Sequence, residues 1–159
     1  MTLYHGSNVE VRVPKLQPLV RALDFGRAFY LTSDFEQAKK WARTSVLRRG
    51  DGVPMVSVFE ICDAALASLK RLHFDSPDAD WLALISRNRN DGVDRLDYDV
   101  VSGPVANDNT MPVLNLYFKG AYSEEEALRR LLPQRLRDQF AFKTEKAISL
   151  LNFKETIRV

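Results

Sequence analysis

Apolar residues in this chain fall into short runs whose period switches between two and three-to-four, as expected of strands interleaved with helices. Thr2 to His5 predicts a short opening strand. The stretch from about residue 8 to residue 24 is broken at Val13-Pro14 and Gln17-Pro18 and reads as a connecting segment, since proline fixes φ and withdraws a backbone donor. Phe25 to Thr32 predicts a turn at Gly26 leading into a buried strand through Ala28-Phe29-Tyr30-Leu31. Ser33 to Arg49 is the clearest helix. Ser33 and Glu36 stand at capping-box spacing, Ala38, Trp41, Ala42, Ser45 and Val46 share one face, and Gly50 supplies a stop. Met55 to Ile61 alternates as a strand with at least one buried face.

The second half continues the alternation. Ala64 to Phe74 has room for a turn of helix before another strand, and Asp78 to Arg89 predicts a helix with Trp81, Leu82, Leu84 and Ile85 inward. Tyr98 to Val101 predicts a strand running into Gly103-Pro104. Periodicity alone leaves Met111 to Phe118 open between helix and strand. Helix is favoured because Gly120 then ends it, and Ser123 with Glu126 opens another over Glu124 to Leu132. Gln139 to Phe142, Thr144 to Leu151 and Glu155 to Val159 complete the chain as strand, helix and strand. The order lacks the regular βαβ period of a doubly wound sheet, so the expected class is α+β, and residues 1 to 159 are expected to form a single domain.

Composition narrows the function classes. With 45% apolar and 28% charged residues the chain matches globular averages and neither disordered nor fibrous proteins. A net charge of +2, from 23 Lys and Arg against 21 Asp and Glu, is too small by itself to imply a polyanion partner. Cys62 is the only cysteine, so no internal disulfide can form and no zinc site of Cys/His spacing is available. No uncharged apolar run approaches the roughly 18 residues a membrane span needs, and no signal peptide is evident. A cytoplasmic protein with no metal and no membrane association is expected.

The Gly-x-Gly-x-x-Gly, Walker, Gly-x-Ser-x-Gly and His-Glu-x-x-His motifs are all missing, which removes support for hydride transfer, phosphoryl transfer and zinc hydrolysis. Tyr4-His5-Gly6-Ser7 sets an imidazole beside a glycine, where backbone can approach a ligand, and beside a hydroxyl able to donate or accept. Such a corner can hold a ribose and an amide, although a lone histidine is also at home as a satisfied core residue. Asp97 and Asp99 flank Tyr98 without a motif around them and are not assigned chemistry.

Tyr4-His5-Gly6-Ser7, followed by Gly26-Arg27-Ala28-Phe29-Tyr30-Leu31-Thr32, resembles the NAD-binding core of the diphtheria-toxin-like and poly-ADP-ribose-polymerase-like ADP-ribosyltransferases. More narrowly, the whole chain resembles a bacterial family of unknown function, number 3990, within that superfamily. The likeness runs through Asp24-Phe25-Gly26, Gln37-Ala38, Trp41-Ala42, Tyr98 to Val101, Gly103 to Ala106, Asp108, Gln139-Phe140, Phe142, Thr144 and Ala147. It implies an ADP-ribosyltransferase-like fold, with two small, mostly antiparallel sheets and flanking helices around an NAD cleft.

The resemblance also implies roles. His5 would orient the adenosine ribose, Gly6 and Ser7 would hold the nicotinamide carboxamide, and Tyr30 would stack on the nicotinamide ring. Trp41 stands where a second aromatic often lies, and is equally suited to the core. Arg21 and Arg27 flank the site and suit the pyrophosphate, or are simply solvated. The superfamily's third catalytic position is usually a glutamate, and here it is Gln139. Gln139 can bond a ribose hydroxyl but cannot supply a carboxylate's charge, which favours mono-ADP-ribosylation over chain elongation. Glu145 suits a helix start better than catalysis. Asn107-Asp108-Asn109 suits an Asx turn and helix cap, with an acceptor-facing role left open. The implied activity is transfer of ADP-ribose from NAD to a macromolecule, protein or nucleic acid, and the small domains of this kind imply a toxin paired with an antitoxin protein. NAD glycohydrolysis, inactive NAD or partner binding, and nucleic-acid binding through Arg48-Arg49 and Arg87 to Arg89 stay open.

Overall fold

A computed structural model describes residues 1–16, 18, 23–91, 97–107 and 109–159. Seven strands and six helices are seen among them. Strands β1 (Thr2–Ser7), β3 (Met55–Glu60) and β7 (Asn152–Arg158) form an antiparallel sheet in the order β1-β3-β7. Strands β2 (Phe29–Leu31), β6 (Asp138–Phe142), β5 (Val100–Pro104) and β4 (Arg71–His73) form a second sheet, in which only β4 and β5 are parallel. The α+β class and the two small, mostly antiparallel sheets agree with the sequence reading. No described helix is long and apolar enough to cross a membrane.

The period-two alternation of the strands sorts their side chains into layers. On β5 and β6, Val100 and Phe142 join Leu3, Phe29, Leu31 and Phe59 in a core between the two sheets. Their neighbours Val101 and Ala141 point the other way. There they pack with Trp81, Leu82 and Ile85 of α3 (Ala79–Asp91), Leu114 of α4 (Met111–Phe118) and Leu131 of α5 (Glu124–Leu131). A third, small cluster sets Ala38 and Ala42 of α1 (Phe35–Arg49) against Val56 on the outer face of the first sheet. The short helices α2 (Asp63–Ala67) and α6 (Glu145–Ser149) fill the remaining connections.

Helix ends follow local chemistry, with two corrections. Gly50 closes α1 with φ of 74°, its N–H bonded to the carbonyl of Val46. Ser123 caps α5 as expected, but Glu126 reaches Arg129 and Arg130 rather than back to the cap. At α1 the cap is Asp34, whose carboxylate accepts from the Gln37 amide, and not Ser33. The reason is tertiary: the amide and hydroxyl of Ser33 are both taken by the carboxylate of Asp138 at the start of β6. Gln37 donates to the Asp138 carbonyl at 2.6 Å and to Thr32 Oγ1 at 3.0 Å, which ties the start of α1 to both β2 and β6.

Candidate functional site

The two sheets touch where Tyr4 and Thr32 exchange backbone hydrogen bonds of 2.8 and 3.0 Å. Beyond that bridge β1 and α1 part from β2 and β6, and the gap is a cleft of about 910 Å³. That volume is in the range usual for small-molecule and cofactor sites. His5, Gly6, Ser7, Tyr30, Trp41 and Gln139 all border it, so most of the residues given a site role in the sequence reading are brought together. They come from β1, β2, α1 and β6.

His5 sits at the joint between the sheets. Its Nδ1 lies 2.8 Å from the carbonyl of Tyr30. A carbonyl can only accept, so Nδ1 carries the proton. The ring stacks on Phe29 with centroids 4.3 Å apart. Burial holds the imidazole below its ordinary pKa; the Tyr30 carbonyl pulls the other way, and the positive charge of Arg49 adds to the lowering. The neutral ring therefore keeps Nε2 as a hydrogen-bond acceptor.

Gly6 borders the cleft, and its lack of a side chain is required by the helix behind it. A Cβ at Gly6 would stand 2.0 Å from the carbonyl oxygen of Ala38 and 2.8 Å from the amide nitrogen of Ala42. The glycine lets the backbone of α1 lie directly on β1. That contact holds α1 close enough for half-buried Trp41 to form part of the cleft wall.

Tyr30 is a braced ring rather than a loose one. Its hydroxyl donates to the Gly26 carbonyl at 2.7 Å and accepts from the Phe25 amide at 3.1 Å. Gln139, only 3% exposed, donates its amide nitrogen to Asp24 Oδ2 at 2.9 Å. Asp24, 4% exposed, also takes the Ala106 amide at 3.0 Å and the guanidinium of Arg89, whose Nε lies 2.7 Å away.

Arg27 lies apart. It is exposed, donates to the carbonyl of Leu16 at 3.1 Å, and does not border the cleft. Arg21 and Asp108, also raised from the sequence, lie outside the described residues. The cleft draws its positive charge elsewhere, with Lys40, Arg48, Arg49, Arg89 and Arg137 against Asp24 and Glu36. An excess of cations in a concave site attracts anionic ligands. Arg48 and Arg49 were legible only as a basic pair at a helix end. Arg89 was legible in the same way, within the basic stretch Arg87 to Arg89, whereas Arg137 carried no local signal and Asp24 none beyond the family likeness.

The other sequence candidates have structural roles. Asn107 accepts the Asn109 amide at 2.9 Å as an Asx turn before α4, while also bordering the cleft. Glu145 opens α6 behind the Thr144 cap and is exposed. Asp97 pairs with Lys70 at 2.7 Å, and Asp99 accepts from Thr144 at the same distance. Among the described residues no group of three His, Cys, Asp or Glu is arranged to hold a metal.

These features define an α+β fold in which two small sheets part to leave a net-cationic cleft with α1 along one wall. The chain belongs to the family described as Protein of unknown function (DUF3990), whose model matches residues 1–153. Among curated proteins and among solved structures, nothing matches it.

Proposed function

We propose that this protein is an NAD-dependent mono-ADP-ribosyltransferase with an ADP-ribosyltransferase-like fold, acting in the cytoplasm on a macromolecular acceptor. The observation that carries the reading is convergence. His5, Gly6, Ser7, Tyr30, Trp41 and Gln139, selected by their likeness to an NAD-binding core, border one cleft although they come from four separate elements. The cleft's cationic lining suits a pyrophosphate.

In this reading the neutral His5 accepts a ribose hydroxyl at Nε2, the braced ring of Tyr30 stacks on nicotinamide, and Ser7 bonds its carboxamide. Gln139 receives the hydroxyl of the nicotinamide ribose. The bond between C1′ of that ribose and the nicotinamide nitrogen breaks with its electron pair going to nicotinamide. The acceptor nucleophile bonds to C1′ and releases its proton to solvent. Holding the two ends of NAD at fixed positions is where such a site gains its rate, because there is little covalent chemistry for side chains to perform. A toxin whose activity is held in check by an antitoxin protein is the biological role this activity suits best.

Incubating the pure protein with NAD labelled in the adenosine, with and without cell lysate, tests the proposal. Expected are released nicotinamide and label attached to protein or nucleic acid, assigned by protease or nuclease digestion. Free ADP-ribose alone would make water the acceptor and the protein an NAD glycohydrolase. Bound NAD should raise the melting temperature, by the equivalent of about 2.7 kcal/mol at a hundred times its Kd. No shift at millimolar NAD sinks every NAD-based reading, including that of an inactive NAD binder.

A further inference from the structure

Gln139 stands where a carboxylate would be expected for the proposed reaction, and its surroundings explain how an amide can serve. Both protons of its amide nitrogen meet groups that only accept: Asp24 Oδ2 at 2.9 Å and the carbonyl of Pro104 at 3.4 Å. Asp24 is itself fixed from three sides. Its Oδ1 takes two N–H groups of Arg89, its Oδ2 also takes the Ala106 amide, and its backbone carbonyl takes the side-chain amide of Asn88 at 2.7 Å. With the nitrogen committed in this way, the group Gln139 can offer a ligand is its carbonyl oxygen.

We propose that Asp24 is a positioning residue for Gln139: it locks the amide so that the oxygen serves the cleft as an acceptor for a ribose hydroxyl of the bound nucleotide. The role in turnover rests on the ADP-ribosyltransferase reading above. Asp24 does not replace the missing carboxylate electrostatically, because Arg89 lies against it and offsets its charge. What it supplies is orientation. A reversed amide would point an NH₂ group at the hydroxyl and leave Asp24 facing an oxygen, two acceptors in contact in a buried site.

This arrangement predicts a reciprocal pair of substitutions. Gln139→Glu on its own sets a second carboxylate against Asp24 at hydrogen-bond distance, where both cannot ionise without cost. Asp24→Asn on its own keeps its oxygen toward the two N–H groups of Arg89 and turns its NH₂ on Gln139, which must then reverse. In the double variant that NH₂ donates to the new carboxylate, and an acceptor faces the cleft again. The bond of the Ala106 amide is lost in both variants that carry Asp24→Asn, so it cancels in their comparison.

The experiment is the full cycle of wild type, Asp24→Asn, Gln139→Glu and the double variant. Melting temperature, NAD affinity and nicotinamide release are measured for each. Gln139→Glu should melt below wild type. Asp24→Asn should release nicotinamide about tenfold more slowly, the loss of one hydrogen bond made chiefly in the transition state, with NAD affinity within about twofold. The double variant should recover part of both losses, which independent sites would not do. Additive effects in the cycle overturn the proposal. If Asp24→Asn fails to fold, Gln139→Glu still decides, because wild-type stability in that variant shows that Asp24 does not face the amide. An inactive wild type instead overturns the ADP-ribosyltransferase reading and the ribose role with it, and the melting temperatures read the Asp24–Gln139 pairing independently.

Discussion

On one wall of the cleft His5, Gly6 and Ser7 follow one another along a single strand, and the helix behind them lies directly on Gly6. On the opposite wall Gln139 is held by Asp24, 115 positions away in sequence, and Asp24 is held in turn by Arg89, a further long step along the chain. The first wall is shaped by volume, because backbone rests on backbone where no atom can yield. The second is shaped by charge and hydrogen-bond polarity, because a buried carboxylate needs each oxygen matched by donors. Changes on the first wall should therefore act through packing whatever their polarity. Changes on the second should act through polarity at almost constant volume, as in the Asp24 and Gln139 cycle.

Gly6→Ala should have the largest effect. Its methyl group would stand 2.0 Å from the Ala38 carbonyl, so α1 must lift from β1. Overpacking of this kind costs about 1–3 kcal/mol where side chains can adjust and more where only backbone can, so a loss of at least about 3 kcal/mol is expected by chemical denaturation. Wild-type stability would show that the first wall is not set by close packing.

A smaller, pH-dependent effect belongs to His5. Its folded pKa lies below the ordinary value of 6.5. Above about pH 6.5 neither folded nor unfolded chain holds the proton, and the residue contributes no pH dependence. As pH falls from there, the unfolded chain takes up the proton first and stability drops, until the folded pKa is reached. His5→Asn keeps an N–H donor for the Tyr30 carbonyl and removes the titration. Its melting temperature should vary less with pH than that of wild type between pH 6.5 and 5. Equal slopes would mean that His5 titrates as an exposed residue.

The smallest expected effects separate the arginines. On the proposed NAD reading, Arg48→Ala and Arg49→Ala should each weaken NAD binding severalfold at low ionic strength and less at high salt, because exposed charges are screened. Arg27→Ala should leave affinity unchanged, since that side chain reaches Leu16 and lies outside the cleft. Isothermal titration at two salt concentrations measures both. A large loss with Arg27→Ala would return the pyrophosphate to the loop before β2.

Most of the architecture was legible in the sequence because most of it is local. The capping residue Ser123, the stop at Gly50 and the helix over Met111–Phe118 depend on partners within about one turn, and the structure has each of them. The alternation at Val100-Val101 and Ala141-Phe142 reflects burial on both faces of a central strand, which needs no knowledge of what covers them. His5, Gly6 and Ser7 stood out as neighbours along the chain, and Tyr30 through the family likeness, and all four border the cleft.

What the sequence alone could not decide was anything settled by residues far apart. Asp34 caps α1 instead of Ser33 because Asp138 arrives from the other end of the chain to claim Ser33. Gly6 is required by the close approach of a helix, and the cleft's cations come from α1, α3 and the approach to β6 instead of from Arg27. The orientation of Gln139 is fixed by Asp24 and Arg89, and no pattern along the chain marks those residues as partners. Periodicity and capping report interactions over a few positions. A buried polar network is instead chosen by three-dimensional proximity and by the need to match every donor with an acceptor, and only the folded chain brings those groups together.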